Sequence, residues 1–181
     1  MPCEDFDIFL HNLGNILFSV SGLLLSERFD EAKTKLSKIF GPIDDNENLK
    51  DYRPIDFLIK SKIDLINKHG IKLSYNKLEF PQIDDIDLCL IFGNIFDNLI
   101  NFSLNTTEKF ISIDFKIEGK KYIYSFKNSF LNDKYKKGIS KNVKEKIGLK
   151  TLKKTIKKNN GSLKLWSDRN VFYTELSLNS T

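Results

Sequence analysis

Asparagine is a poor helix former, yet Asn94, Asn98 and Asn101 stand four and three residues apart inside an apolar-periodic stretch. That spacing puts all three on one helix face. Acids or lysines would suit a merely solvated face better, so the stripe predicts a polar ligand lying against it. Downstream, Ser129 to Ile147 is a long polar loop rich in lysine (Lys134, Lys136, Lys137, Lys144, Lys146) and reads as a lid over an anion. It feeds Ile147-Gly148-Leu149-Lys150, a glycine just ahead of a predicted helix N-terminus, where free N–H groups and the helix dipole favour phosphate. His11 is the third candidate, because imidazole changes charge near neutral pH and can accept a transferred group. It shares a polar stripe with Asn15, about 200° around the helix from the seam residue Leu13, and is expected to face solvent. Cys3, Cys89, His11 and His69 show no metal-ligand spacing, and two cysteines make no disulfide framework.

The elements that must carry these residues follow from periodicity. Phe6, Phe9, Leu10, Leu13, Ile16, Leu17, Val20, Leu23 and Leu24 recur at helical spacing. Phe29, Ala32, Leu36, Ile39 and Phe40 repeat the pattern up to Gly41-Pro42, so residues 1–43 read as a helical hairpin. Two short amphipathic helices cannot make a core alone, which predicts pairing with a second copy in a four-helix bundle. The polar, aperiodic stretch Ile43 to Lys50 reads as a linker, leaving 51–181 as a second domain. There a helix from Pro54 to a His69-Gly70 cap, a strand at Ile71 to Tyr75 and a helix from Asp85 to Leu104 are expected. Strands at Phe110 to Ile117 and Tyr122 to Lys127, a helix from Leu149 to about Lys158 and a final hairpin around Ser167 to Asn170 complete it. This order argues an α+β layer with helices on one face of a mixed, mostly antiparallel sheet.

Length and charge exclude other classes. The 181 residues carry a net charge of +5, with 13 Lys+Arg against 20 Asp+Glu in 1–118 and 16 against 4 in 119–181. Such a surplus more often solvates a face than reads nucleic acid, so a nucleic-acid partner is the lesser reading. The apolar run Ile16 to Leu25 is too short to cross a bilayer, and the acidic N-terminus lacks a secretory pattern. No membrane partner and a cytoplasmic location are expected.

Taken together, these stretches resemble the core of bacterial two-component histidine kinases, closest to the Agr, citrate-sensor and sporulation-phosphotransferase relatives. Phe9-Leu10-His11-Asn12-Leu13-Gly14-Asn15 resembles the phosphoacceptor box, His-Asp-x-x-Asn, and Leu88 to Asn98 resembles the N box of the Bergerat ATP-binding fold. The resemblance implies that His11 is phosphorylated beside Asn12 and Asn15, that Asn98 holds Mg2+ and that Asn94 faces the phosphates of ATP. Asn128 falls where the adenine-contacting box begins, and Ile147-Gly148-Leu149-Lys150 resembles the second glycine box. It further implies a Bergerat-type α/β sandwich, a homodimer through the hairpin and a response regulator receiver domain as partner. Two departures are chemical. Lys144 and Lys146 replace glycines that let a lid approach phosphate, and Asn12 has no charge with which to polarise the imidazole. They imply slow self-phosphorylation and keep open a phosphotransferase, or a catalytically silent docking or inhibitor protein of a kinase or regulator.

Overall fold

A computed structural model describes residues 4–40, 53–131 and 143–180, with side chains for 15–37, 53–131 and 149–180. The chain divides into two compact units, 1–51 and 52–181.

The first unit holds α1 (Glu4–Leu25) and α2 (Phe29–Phe40). The turn between them ends α1 with paired bonds, Arg28 N–H to Leu23 O at 2.9 Å and Glu27 N–H to Leu24 O at 3.1 Å. This places Glu27 in the left-handed region, φ 59°, where glycine is usual. Val20 and Ala32 are buried between the helices, and the Lys35 ammonium donates to Ser19 Oγ.

The second unit begins with α3 (Pro54–Lys68). Proline suits its first turn, where no N–H is needed, and Asp56 accepts from the Arg53 N–H at 2.8 Å. It stops as expected at His69-Gly70, with Gly70 at φ 64°. Then follow β1 (Lys72–Tyr75), α4 (Asp85–Leu104), β2 (Phe110–Glu118), β3 (Lys121–Ser129), α5 (Val143–Lys158), β4 (Ser162–Asp168) and β5 (Val171–Asn179). The sheet order is β1-β2-β3-β5-β4, with β1 parallel to β2 and every other pair antiparallel. The closing hairpin turns on two residues, Arg169-Asn170, since Asp168 pairs with Val171.

The core lies between the sheet and the helices. Ile55, Ile59 and Ile66 of α3, Leu88 to Ile100 of α4 and Leu152 and Ile156 of α5 pack with Ile111, Ile113, Tyr124, Phe126, Leu176 and Leu178 of the strands. Phe92 sits at its centre, edge-on to Phe80, Tyr124 and Phe126. Strand β5 shows the cause, burying Phe172, Thr174, Leu176 and Leu178 while the residues between them face outward. Helix α4 has the length and apolarity of a membrane span, and half of that window is buried within the domain. Its N-terminus is capped by Asp84, which accepts from the N–H groups of Ile86 and Asp87 at 2.9 and 3.1 Å.

Candidate nucleotide site

A cavity of about 40 Å³ opens where α4, α5 and three strands converge. Its walls are mostly apolar, with Leu99 and Phe102 of α4, Leu149 and Leu152 of α5, and Leu165 and Phe172 of the last hairpin. Among the described residues, Asn98, Asn128 and Thr174 alone bring polar side chains to it. The strand register explains the convergence: Asn128 on β3 pairs with Phe172 on β5, and Leu165 on β4 pairs with Thr174. An apolar slot with a few placed polar groups suits a flat heteroaromatic ligand.

Asn128 is the most informative of these residues. Its side chain is fully buried, and the amide Nδ2 donates to Ser129 O at 2.8 Å, which fixes the orientation of the group. The carbonyl Oδ1 is left buried without a donor among the described residues. Such an orphan costs about 1–3 kcal/mol, which a donor from a ligand would offset. An exocyclic amine is that kind of donor, so the group fits adenine. Asn98 is half-buried at the cavity mouth and offers an amide oxygen, a ligand type that suits Mg2+.

The predicted stripe is only partly assembled. Asn94 donates back to Leu90 O at 2.7 Å, and neither it nor the exposed Asn101 lines the cavity. Leu149 does line it, whereas Lys150 is exposed beside it. Gly148 departs from expectation. Helix α5 begins at Val143 rather than Leu149, so Gly148 is an interior helical residue. The free N–H groups of a helix belong to its first turn, and these fall upstream of the glycine. The reason lies in composition: Lys144, Glu145 and Lys146, directly ahead of Ile147-Gly148, are good helix formers. The lid lysines Lys134, Lys136 and Lys137 lie outside the described residues. His11 and Asn12 are on α1, but their side chains are also outside them; Asn15 is exposed.

Thr174 went unread in the sequence, although the signal was there. It stands on the inward face of β5 between Phe172 and Leu176, where alternation calls for an apolar residue.

Away from the cavity, Asp87 is buried at the first turn of α4. It receives Lys158 Nζ at 2.8 Å and Asn159 Nδ2 at 2.8 Å. Burial works to raise its pKa, but the bonds from Lys158 and Asn159 and the charge of Lys158 outweigh that and hold it below the ordinary value. Burial pushes the Cys89 thiol up, which favours its protonated form.

Comparisons with known proteins speak to the fold and the family. A sequence profile described as the GHKL domain matches residues 83–179, which includes α4, α5 and strands β2 to β5. The catalytic domain of the histidine kinase ThkA in nucleotide-free form superimposes with a TM-score of 0.55 at 17% identity, over 70% of this chain and 90% of that one. A mycobacterial sensor histidine kinase, MprB, gives 0.54 at 11% identity over 69% and 93%. The Acinetobacter baumannii histidine kinase AdeS gives 0.53 at 11% identity over 94% and 98%. No curated protein matches the sequence. At these identities the structures speak for the fold, and the profile for the family: the chain belongs to the GHKL domain family and has the catalytic fold of histidine kinases.

Proposed function

We propose that the second unit binds Mg-ATP in the Asn98–Asn128 cavity and that the chain performs phosphoryl transfer through His11, in a two-component pathway with a response regulator receiver domain. The observation that carries the reading is the orphaned, buried Asn128 Oδ1 in an apolar slot. It would accept from the adenine amine, and Asn98 would give its amide oxygen to magnesium. When bound, Mg-ATP supplies an activated γ-phosphoryl group whose charge the metal neutralises. His11 would receive that group on a ring nitrogen and pass it to a receiver carboxylate. Self-association is supported by the hairpin, whose Phe18, Leu25 and Phe29 are 84%, 87% and 61% exposed. A homodimeric four-helix bundle would cover them. A cytoplasmic location belongs to the same reading.

Calorimetric titration of Mg-ATP tests it, with Asn98→Ala as control. Saturable binding that Asn98→Ala weakens at least tenfold is expected, as is acid-labile phosphate on the protein that His11→Gln abolishes. No binding at millimolar nucleotide would sink the ATP reading.

A second reading has its own support. With Gly148 inside α5 and Asn12 in place of an acid, the phosphate cradle and the acceptor are both weakened. That favours a silent docking or inhibitor protein of a kinase or regulator. Biological output that survives His11→Gln would select it.

A further inference from the structure

The cavity measures about 40 Å³ and opens to solvent, so enclosing a flat purine within it requires a wall to give way, and α5 supplies two of the wall residues, Leu149 and Leu152. The two ends of this helix are held very differently. At its C-terminal end, Lys158 and the adjoining Asn159 both bind the buried Asp87 carboxylate at 2.8 Å. Gly161 N–H closes on Ile156 O at 2.9 Å and Asn160 N–H on Lys157 O at 3.2 Å, with Asn160 at φ 51°. The same turn is pinned to the sheet, since Asn179 Nδ2 donates to Asn160 O at 2.6 Å. Gly161 packs so tightly that a Cβ there would lie 2.5 Å from Ser177 O. Among the described residues the cavity end is held by apolar packing alone: Leu152 is buried, Leu149 half-buried and Lys150 exposed, and no ion pair or side-chain bond ties Leu149 or Lys150 to another element.

We propose that Asp87 is the pivot of α5: by holding Lys158 and Asn159 it fixes one end of the helix, so that the Leu149 end, about 13 Å away along the axis, moves as a lever to admit a nucleotide and close on it. The proposal rests on the reading of the cavity as a nucleotide site. Asp87 touches no ligand in it and is a positioning residue. Its side chain lies at the start of α4, whereas Asn98 lies three turns on, so one helix carries both the pivot and the ligand-facing amide.

The test pairs amide hydrogen exchange with Mg-ATP titration on the full chain, comparing wild type with Asp87→Ala, Asp87→Asn and Lys158→Met. Asp87→Ala should speed exchange at Leu149 to Thr155 about tenfold while the β3 amides of Tyr124 and Phe126 stay protected. It should also weaken Mg-ATP binding about tenfold. Asp87→Asn, which still accepts from Asn159, should give an intermediate effect on both, as should Lys158→Met, whose exposed position also guards against loss of folding. Equal acceleration in α5 and β3 in Lys158→Met and Asp87→Asn would mean general destabilisation and overturn the proposal. Unchanged α5 exchange in all three variants would overturn it too, as would faster α5 exchange with unaltered affinity. If wild type binds no nucleotide, the cavity reading fails by itself, and the coupling to ligand falls with it, while the exchange pattern still reports whether Asp87 anchors the helix.

Discussion

Helix α1 and helix α4 look alike as sequences, both long and apolar with one polar stripe, but the structure treats them differently. In α4, Leu88, Ile91, Phe92, Ile95, Phe96, Leu99 and Ile100 are buried against the sheet and its neighbours. In the described part of the hairpin only Val20 and Ala32 are buried, while Leu17, Phe18, Leu24 and Leu25 lie open. Amphipathic periodicity states that a face needs a partner; whether the chain holds that partner is a separate matter. The second unit has a five-stranded sheet to cover its helices. Two helices alone have only each other, and a stripe wider than one helix can cover is left over.

The sharpest way to break this comparison is to truncate one aromatic in each unit. Phe92→Ala removes a fully buried ring from the centre of the second core and should cost about 3–5 kcal/mol in chemical denaturation. Phe18→Ala, at an 84% exposed position, should leave that transition within about 0.5 kcal/mol and instead weaken self-association in sedimentation experiments. A large loss of second-unit stability from Phe18→Ala would refute the distinction. Next comes Gly161→Ala. Its Cβ would meet Ser177 O at 2.5 Å, so about 1–3 kcal/mol should be lost from the denaturation free energy, and more than from Gly93→Ala, where the nearest atom is 3.8 Å away.

A pH experiment sharpens the second unit's side. Asp87 has a folded pKa below its ordinary value, because the Lys158 and Asn159 bonds outweigh the opposing effect of burial. Its stabilisation is therefore complete above the unfolded carboxylate pKa and is lost as pH falls through the folded one. Thermal melts should show wild type losing stability on acidification below the ordinary carboxylate range, with a shallower slope in Asp87→Asn. The smallest effect belongs to the hairpin. Glu27 sits at φ 59°, so Glu27→Gly should stabilise the α1–α2 turn by about 0.5–1 kcal/mol, seen as slower amide exchange there and no change in the second unit.

Local signals in the sequence determined most elements by themselves. Pro54 and His69-Gly70 bracket α3, the apolar period from Asp85 to Leu104 gives α4 to the residue, and alternation gives β5. These succeed because capping and periodicity act within a few residues of the chain. Asn98 and Asn128 were legible through their resemblance to known boxes, which is a record of chemistry and not of packing. Tertiary structure alone decided the rest. The start of α5 at Val143 is the exception: Lys144, Glu145 and Lys146 favour helix locally, so that signal was in the sequence and went unread. Which asparagine of the stripe faces the cavity depended on where β3 and β5 meet α4, so Asn98 lines it while Asn94 turns back on its own helix. The anchoring of α5 by Asp87 joins residues 71 and 72 positions apart. No local pattern encodes such a contact, because it exists only once the sheet has brought the two helices side by side.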